Sequence, residues 1–371
     1  CLPYFGRLEN DLDYSGDFHG KSGPVQCKRH PRERWQKNQE AFYQGCVDLG
    51  FNEVLDHNDP DSTGIGPIPF NTVDGIRQST WLTYLRPNIS RPNLSISPDS
   101  FVRSVNFENS RAIGITIEKD GNIETISGKE IILSAGAIST PHLLLLSGIG
   151  DKTDLDNLGI QTVKNLPGVG KNLRDHPLIS VVWKKAEGHE IDPSLTGLQV
   201  ALRYTASNSD LSNDMYIHPV STSNPRSSYG DNNRWIFAYE DFNNHLGMTV
   251  SLYLAKSQGS LTLRSKDPNI QPYLDYNLLE DEEDLRRVRE AVELCLSIGE
   301  GSTYKGITSE RIKPPESVLS SKESLDRWLK ETVRTSHHVS GTCKMGPESD
   351  SMAVVNQHGK VHGIEGLRVA D

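Results

Sequence analysis

The chain has 371 residues, a mass of 41.2 kDa and a formal net charge of −10, and this length predicts two domains or one large domain with an insertion. An acidic chain without a basic run is not expected to bind nucleic acid, and no apolar run approaches the roughly 20 residues of a membrane span. Five widely scattered cysteines argue against a disulfide framework and favour a reducing, cytoplasmic location.

The first 75 residues are rich in Asp, Asn, Gly and Pro, which predicts loops around short elements. Residues 34–49 are expected to form a helix that ends at Gly50. Residues 16–22 resemble a phosphate-binding loop, but the spacing is one residue short and no strand precedes it. We therefore do not predict phosphate binding at this position.

The clearest strand signal comes in the middle of the N-terminal half. Ile113, Ile115 and Ile117 alternate with less apolar residues, which predicts a half-buried strand. Residues 120–122 read Asp-Gly-Asn, a turn signal, and residues 123–126 begin the predicted return strand.

A buried strand followed by a helix is predicted next. Residues 130–135 are apolar at their centre and are broken by a Gly-Ala pair. Thr140 is expected to cap a helix with Pro141 at its first position, where a missing N–H is harmless. The helix is expected to run through Leu146 and to end at Gly148.

Residues 181–280 alternate short strand-like runs, such as 249–254 and 260–263, with polar turns. This pattern predicts an antiparallel sheet with one face in water. Residues 281–298 then predict an amphipathic helix with an acidic first turn. Its apolar stripe consists of Leu285, Val288, Val292 and Cys295.

The C-terminal part predicts one more helix and one strand. Residues 321–333 are expected to be helical, with Ser320 and Glu323 as a capping box. Residues 367–370 read as a strand, and ligands of open α/β sheets bind at the carboxyl ends of strands. The predicted buried face of the helix is made of Leu325, Trp328 and Leu329.

Several chemical motifs are absent from the sequence. It contains no G-x-S-x-G, C-x-x-C or H-E-x-x-H, and no intact G-x-G-x-x-G. His337, His338 and Cys343 are residue types that bind metals, but adjacent histidines cannot share one face of a helix or strand. No metal site is therefore predicted, and an isolated histidine pair is more often an ordinary surface or core feature.

Residues 136–150 resemble the second signature of the glucose–methanol–choline (GMC) flavin oxidoreductases. A small-residue pair at the start of this strand–turn–helix lets the backbone approach a bulky cofactor, although most of these residues also serve as scaffold. The matching positions are Gly136, Ala137, Thr140, Pro141, Leu143, Leu144, Ser147, Gly148 and Gly150.

The resemblance extends over nearly the whole chain. The family's N-terminal glycine fingerprint, its first signature and its C-terminal tail are not found, so we expect a fragment that does not retain FAD by itself. The other similar blocks are residues 2–24, 75–85, 168–176, 257–268, 336–346 and 361–371.

The resemblance implies an α/β fold, α+β overall. It would consist of an incomplete Rossmann-like FAD-binding domain and a substrate domain with an antiparallel sheet. Residues 1–87 would cover the cofactor, and residues 88–180 would belong to the FAD-binding domain. Residues 181–330 would bind substrate, and residues 331–371 would return to the FAD-binding domain with the catalytic histidine.

The resemblance also implies FAD-dependent oxidation of a small-molecule alcohol, with an electron acceptor that the sequence does not identify. His338 matches the family's catalytic histidine and is expected to be the general base, a role that suits imidazole near neutral pH. Two alternatives stay open: a lyase on the same flavoprotein scaffold, and a catalytically incompetent fragment. The expected contacts to FAD are Val102, Ala135, Gly136, Ala370 and Asp371.

Overall fold

The computed structural model describes residues 1–221 and 244–371, so part of the predicted antiparallel region lies outside the described residues. Contacts between residues divide the chain into two units. The first unit comprises Cys1–Ser95, Leu178–Leu254 and Glu282–Val333. The second comprises Ile96–Pro177, Ala255–Asp281 and Arg334–Asp371.

The helices and strands are short for a chain of this length. The helices are α1 (Leu2–Leu8), α2 (Lys37–Asp48), α3 (Gly136–Leu146), α4 (Lys152–Asn157), α5 (Glu282–Gly299) and α6 (Lys322–Thr332). The strands are β1 (Glu9–Asp11), β2 (Val25–Cys27), β3 (Gly64–Pro67), β4 (Thr72–Val73), β5 (Ile76–Arg77), β6 (Phe101–Glu108), β7 (Arg111–Lys119), β8 (Asn122–Ser127), β9 (Ile131–Leu133), β10 (Ile149–Gly150), β11 (Lys164–Asn165), β12 (Pro177–Lys185), β13 (Val200–Tyr204), β14 (Met215–Val220), β15 (His245–Leu252), β16 (Ser260–Thr262), β17 (Tyr273–Asp275), β18 (Thr308–Lys313), β19 (Arg334–Thr335) and β20 (Leu367–Val369). Among the described residues, no helix is both long and apolar enough to cross a membrane.

The first unit is built on an antiparallel sheet with the strand order β18–β12–β15–β14–β13–β3. On β14 the buried Met215 and Ile217 alternate with the half-buried Tyr216 and His218, as a strand with one buried face requires. The sheet confirms the antiparallel pairing predicted from residues 181–280, but not the predicted face in water, because β13 and β15 are buried along almost their whole length.

Helix α5 packs against β14 and β15 and confirms the predicted amphipathic helix within one residue at each end. Its apolar stripe is buried as expected. Arg287 and Asp284 are buried on the same helix, where they meet Asp214. The amphipathic pattern gave no sign of this buried ion group, because Arg and Asp normally mark the solvent side of a helix.

The second unit contains the three-stranded antiparallel sheet β6–β7–β8, which confirms the predicted strand and its return strand. It also contains the parallel pair β9–β20, in which Leu133 lies opposite Val369. Helix α3 follows β9 directly. The core of this unit includes Val105, Leu133, Leu144, Val354, Leu261 and Leu367.

Residues 255–281 were assigned by sequence to the substrate-binding region, whereas by contacts they belong to the second unit. Gly259 exchanges backbone hydrogen bonds of 3.0 and 2.8 Å with Leu173, and Leu261 lies in the core of the second unit. The pattern of apolar residues along a strand predicts that a face is buried, but it does not tell against which sheet the strand packs.

The predicted start of α3 is wrong. The helix begins at Gly136, so Pro141 lies inside it and Thr140 is not its cap. The Thr140 hydroxyl instead accepts a 3.0 Å hydrogen bond from the backbone N–H of Ala135, just before the helix. The prediction failed because proline is tolerated inside a helix when the carbonyl that it leaves unpaired finds another donor.

The predicted cap of α6 is also wrong, by one residue. Ser321 is the N-cap, and its hydroxyl accepts a 3.1 Å hydrogen bond from the N–H of Ser324. Ser320 closes the preceding 3₁₀ turn instead, by donating its hydroxyl to the Ser317 carbonyl. Two successive serines offer the same capping chemistry, and only the end of the preceding turn selects between them.

Candidate active site

His338 lies in an exposed turn of the second unit that is held by a buried carboxylate. The backbone N–H of His338 donates to Asp175 Oδ1 at 3.1 Å, and Asp175 is only 5% exposed. The same oxygen accepts from the His176 N–H at 2.8 Å and from the Ser336 hydroxyl at 3.1 Å. The hydroxyl of Thr335 donates to Oδ2 of this carboxylate.

The two adjacent histidines have different surroundings. His337 has a φ of +65°, in the left-handed region that residues other than glycine seldom adopt, and its N–H donates to the Thr335 hydroxyl at 2.9 Å. The ring of His338 lies 5.3 Å from the ring of His176, at an interplanar angle of 36°. The turn therefore combines a firmly bonded main chain with exposed imidazoles.

The chain that follows His338 is paired with the segment before Asp175. Arg174 and Ser340 exchange backbone hydrogen bonds of 2.9 and 2.8 Å. Gly341 has a φ of +83°, and a Cβ at this position would lie 2.5 Å from the carbonyl oxygen of Asn172. Only glycine fits here, so the pairing that places His338 depends on this residue.

Thr342 connects the same segment to α3. Its hydroxyl donates to the carbonyl of Ala137 at 2.5 Å, and the residue is buried. This carbonyl is the one that the N–H of residue 141 would bond in a regular helix, and Pro141 has no N–H. The internal proline thus leaves an acceptor available at the first turn of α3, and Thr342 uses it.

The carboxyl ends of β9 and β20 form an edge of small, exposed residues. Ala135, Ala370 and Asp371 are exposed there, and the N–H of Gly136 donates to the Asp371 carboxylate. Gly136 has a φ of +86°, and a Cβ at this residue would meet nothing within 4 Å. The strands also bond here, because the Ser134 hydroxyl donates to the Ala370 carbonyl at 2.7 Å.

This edge fits a flavin nucleotide. The first turn of α3 presents backbone N–H groups at the end of two parallel strands, where open α/β folds place dinucleotides. The open space above Gly136 and the small side chains of Ala135 and Ala370 leave room for a bulky ring or phosphate. Cys343 lies beside the edge, where burial, and to a smaller extent the charge of Asp371, raise the pKa of its thiol to about 12.

Val102 lies elsewhere in the second unit. It stands on β6 opposite Ile117 and packs, half-buried, against the core. The strand is joined to α3 through the N–H of Val105, which donates to the Ser147 hydroxyl at 2.9 Å. The structure thus brings Ala135, Gly136, Ala370 and Asp371 to one edge and leaves Val102 on β6, in the separate three-stranded sheet.

A group of possible metal-ligating atoms in the described residues lies in the first unit, at Glu9, Asp11 and Cys27. Asp11 already accepts from Arg29 at 2.9 and 3.1 Å, and Glu9 accepts from the N–H of Gly20 at 2.9 Å. Burial raises the pKa of the Cys27 thiol to about 11, which disfavours the thiolate that a metal needs. The group is therefore an ion cluster in which the carboxylates of Glu9 and Asp11 already accept hydrogen bonds.

Sequence reasoning missed Asp175 and the link between Thr342 and Ala137. Asp175 and His176 stand at the end of a block that was noted only for its similarity to the family. A carboxylate between Arg and His in the sequence is typical of an exposed charged surface. Only the fold shows that Asp175 is buried under the turn of His338.

Family profiles of known proteins match the N-terminal and the C-terminal part of the chain. A profile described as GMC oxidoreductase matches residues 1–178, and a second with the same description matches residues 255–371. The solved structure of pyridoxine 4-oxidase from Mesorbium loti superimposes with a TM-score of 0.86 at 24% identity. It covers 100% of this chain and 71% of that one, which supports the fold alone.

Curated relatives align along the whole chain. An oxygen-dependent choline dehydrogenase of Staphylococcus saprophyticus is 34% identical over 100% of this chain and 69% of its own length. The enzyme of the same name from Staphylococcus xylosus is 36% identical, with 100% and 69% covered. A GMC-type oxidoreductase of Rhodococcus erythropolis is 31% identical, with 100% and 70% covered. Because both profiles match and relatives above 30% identity align from end to end, the chain belongs to the GMC oxidoreductase family of FAD-dependent alcohol dehydrogenases and oxidases, and its cofactor is FAD.

Proposed function

We propose that the protein oxidises a small-molecule alcohol to an aldehyde or ketone, with His338 as the general base. The observation that carries this proposal is the combination found at His338: its main chain is bonded to the buried Asp175, and its imidazole is exposed. A general base must reach the proton of the substrate while its own position varies little, and this turn meets both requirements.

The chain's own residues have separate tasks in this reaction. His338 takes the hydroxyl proton on a ring nitrogen, and the edge formed by Ala135, Gly136, Ala370 and Asp371 holds the cofactor, with Val102 as a further contact. When bound, FAD supplies the chemistry of hydride acceptance at flavin N5. Thr342 keeps the His338 segment docked on α3, next to this edge.

The names of the relatives suggest the first substrate to test. Two of them are oxygen-dependent choline dehydrogenases, so choline is the first alcohol and oxygen the first electron acceptor that we propose. An alcohol panel that includes choline and uncharged primary alcohols would separate a requirement for the quaternary ammonium group from a general preference for primary alcohols.

The proposal is tested on the holoenzyme, in a chain that retains FAD, by anaerobic mixing with alcohol while flavin absorbance is recorded. His338→Ala should slow flavin reduction by about 10²–10⁴-fold, the range for loss of a general base, with FAD content unchanged. The adjacent His337→Ala is the matched control and should have a far smaller effect. A larger effect at His337, or none at either residue, would contradict the assignment, and aldehyde release without loss of flavin absorbance would indicate a lyase.

A further inference from the structure

We propose that Asp175 is a positioning residue for this reaction: through the backbone amides of His176 and His338, its buried carboxylate fixes two imidazoles in one arrangement. The inference rests on the proposed function of His338 and assigns to Asp175 a role that acts only through its neighbours. Asp175 touches neither substrate nor cofactor in this proposal.

The carboxylate is fully engaged by neutral donors. Oδ1 accepts from the N–H groups of His176 and His338 and from the Ser336 hydroxyl, at distances between 2.8 and 3.1 Å. Oδ2 accepts from the Thr335 hydroxyl. A carboxylate offers about four lone-pair positions, so these donors occupy its capacity and restrict its rotation.

A single oxygen atom therefore sets the starting points of both imidazoles. The amide N–H groups of His176 and His338 converge on Oδ1 from two segments that are distant in sequence. The centroids of the two rings lie 5.3 Å apart. At this distance, a change in either backbone alters the contact between the rings. A shift of Oδ1 moves His176 and His338 together.

The neighbouring backbone makes the arrangement sensitive to this carboxylate. His337, between the bonded Ser336 and His338, adopts a φ of +65°, a conformation that persists only when its surroundings enforce it. The Thr335 hydroxyl donates to Asp175 and accepts from the His337 N–H. Loss of the Asp175 carboxylate therefore also weakens the hydrogen bond between His337 and Thr335. Without the carboxylate, the amide of His338 and the hydroxyls of Thr335 and Ser336 would lose the acceptor that holds this turn.

Steady-state and single-turnover kinetics of the flavin-loaded protein provide the first test. Asp175→Ala should lower kcat about 10–100-fold, as expected for a displacement of the base by about 1 Å, with KM changed less than about threefold. Asp175→Asn keeps one acceptor oxygen for the two amides and should fall between the wild type and Asp175→Ala. Asp154→Ala, at an exposed aspartate of the same unit, is the control and should leave kcat unchanged.

A double-mutant cycle distinguishes positioning from a general structural role. If Asp175 acts through His338, Asp175→Ala should change the rate less than about twofold in a His338→Ala background. Independent, multiplicative losses would overturn the inference. Loss of FAD from both Asp175 variants in parallel with loss of rate would also overturn it, since the carboxylate would then support the fold and not the base.

Hydrogen–deuterium exchange at the C2 position of histidine, read by mass spectrometry, tests the geometry without using activity. Asp175→Ala should change the exchange rates of His176 and His338 and leave that of His358, in an exposed loop, unchanged. If Asp175→Ala does not fold, Asp175→Asn decides the question by the same readout. Unchanged exchange at both histidines would overturn the inference, whereas an unchanged rate of flavin reduction in His338→Ala would end the proposed function and leave this measurement valid.

Discussion

Two buried aspartates, one in each unit, are satisfied in different ways. Asp214 in the first unit is 0% exposed and accepts from Arg287 Nη1 at 2.6 Å, from the Ala206 N–H at 2.9 Å and from the Ser209 hydroxyl at 2.6 Å. Asp175 in the second unit accepts from two amides and two hydroxyls. Both are buried aspartates, but their donors differ in charge.

The two groups serve different purposes: one joins regular elements, and the other holds the turn that carries the candidate base. The ion group of Asp214, Asp284 and Arg287 links the residue before β14 to α5. Its role is to hold two regular elements together. The Asp175 group holds an irregular turn whose histidines remain exposed. The donors to Asp175 are amides and hydroxyls of the turn itself, so they fix its backbone directly without a second ionised side chain beside the histidines.

The largest expected effect comes from breaking the ion group of the first unit. Arg287→Met should lower the free energy of unfolding by about 3–5 kcal/mol, because it leaves Asp214 and Asp284 buried without their cation. Denaturant unfolding followed by fluorescence measures this change. Arg286→Met, one residue earlier on α5, removes partly exposed pairs with Glu283 and Glu290 and should lose about 1 kcal/mol or less. Equal losses from the two substitutions would contradict the contrast between buried and exposed pairs.

The next effect concerns His218, a half-buried histidine on the sheet of the first unit. Burial lowers the pKa of His218 to about 4, and its Nδ1 has no hydrogen-bond partner among the residues that the structure describes. Below pH 6.5 the His218 imidazole is protonated in the unfolded chain, whereas in the folded chain it stays neutral down to about pH 4. The free energy of unfolding therefore decreases as the pH falls through this window. Between pH 8 and pH 5 this histidine should contribute a loss of about 2 kcal/mol.

This contribution is isolated by substitution. The His218→Gln variant should lose about 2 kcal/mol less than the wild type between pH 8 and pH 5, as measured by denaturant unfolding at both values. His358→Gln, in an exposed loop, should follow the wild type. A variant at position 218 that follows the wild type would show that His218 takes up its proton in the folded state.

A smaller effect tests the neutral donors of the second unit. Thr342→Val should lower the free energy of unfolding by about 1.5 kcal/mol, because the Ala137 carbonyl loses its donor. In a Pro141→Ala background, the restored N–H of residue 141 can bond this carbonyl, and the loss should shrink below about 0.5 kcal/mol. Additive effects of the two substitutions would show that proline and threonine do not share this acceptor.

The smallest effect checks the cap of α6. Ser321→Ala should lower the free energy of unfolding by about 1 kcal/mol, because the N–H of Ser324 loses its acceptor. Ser320→Ala removes a hydroxyl that bonds the exposed preceding turn and should have a smaller effect. The reverse order, measured by the same unfolding experiment, would restore the capping box predicted from the sequence.

Regular elements with a strong period were predicted well. The acidic first turn and apolar stripe of α5 and the alternating isoleucines of β7 placed these elements within one or two residues. The errors fell at helix starts. Thr140 and Ser320 each carry a hydroxyl suited to a cap, and each is used elsewhere, by Ala135 and by Ser317. Local chemistry offers several solutions of similar energy at such positions, and in both cases a partner only 5 or 3 residues away along the chain takes the hydroxyl that the cap would have used.

Short, regular spacing of residue types predicted the antiparallel strands and the amphipathic helices. The family and the candidate base His338 came instead from the resemblance of blocks such as residues 136–150 and 336–346 to the GMC oxidoreductases. The tertiary structure decided how that candidate is held. Asp175 lies 163 residues from His338, and Thr342 lies 205 residues from Ala137, so no local pattern connects them. Burial turns an Asp that resembles a surface charge into an acceptor that must be satisfied, and the fold alone determines which donors reach it.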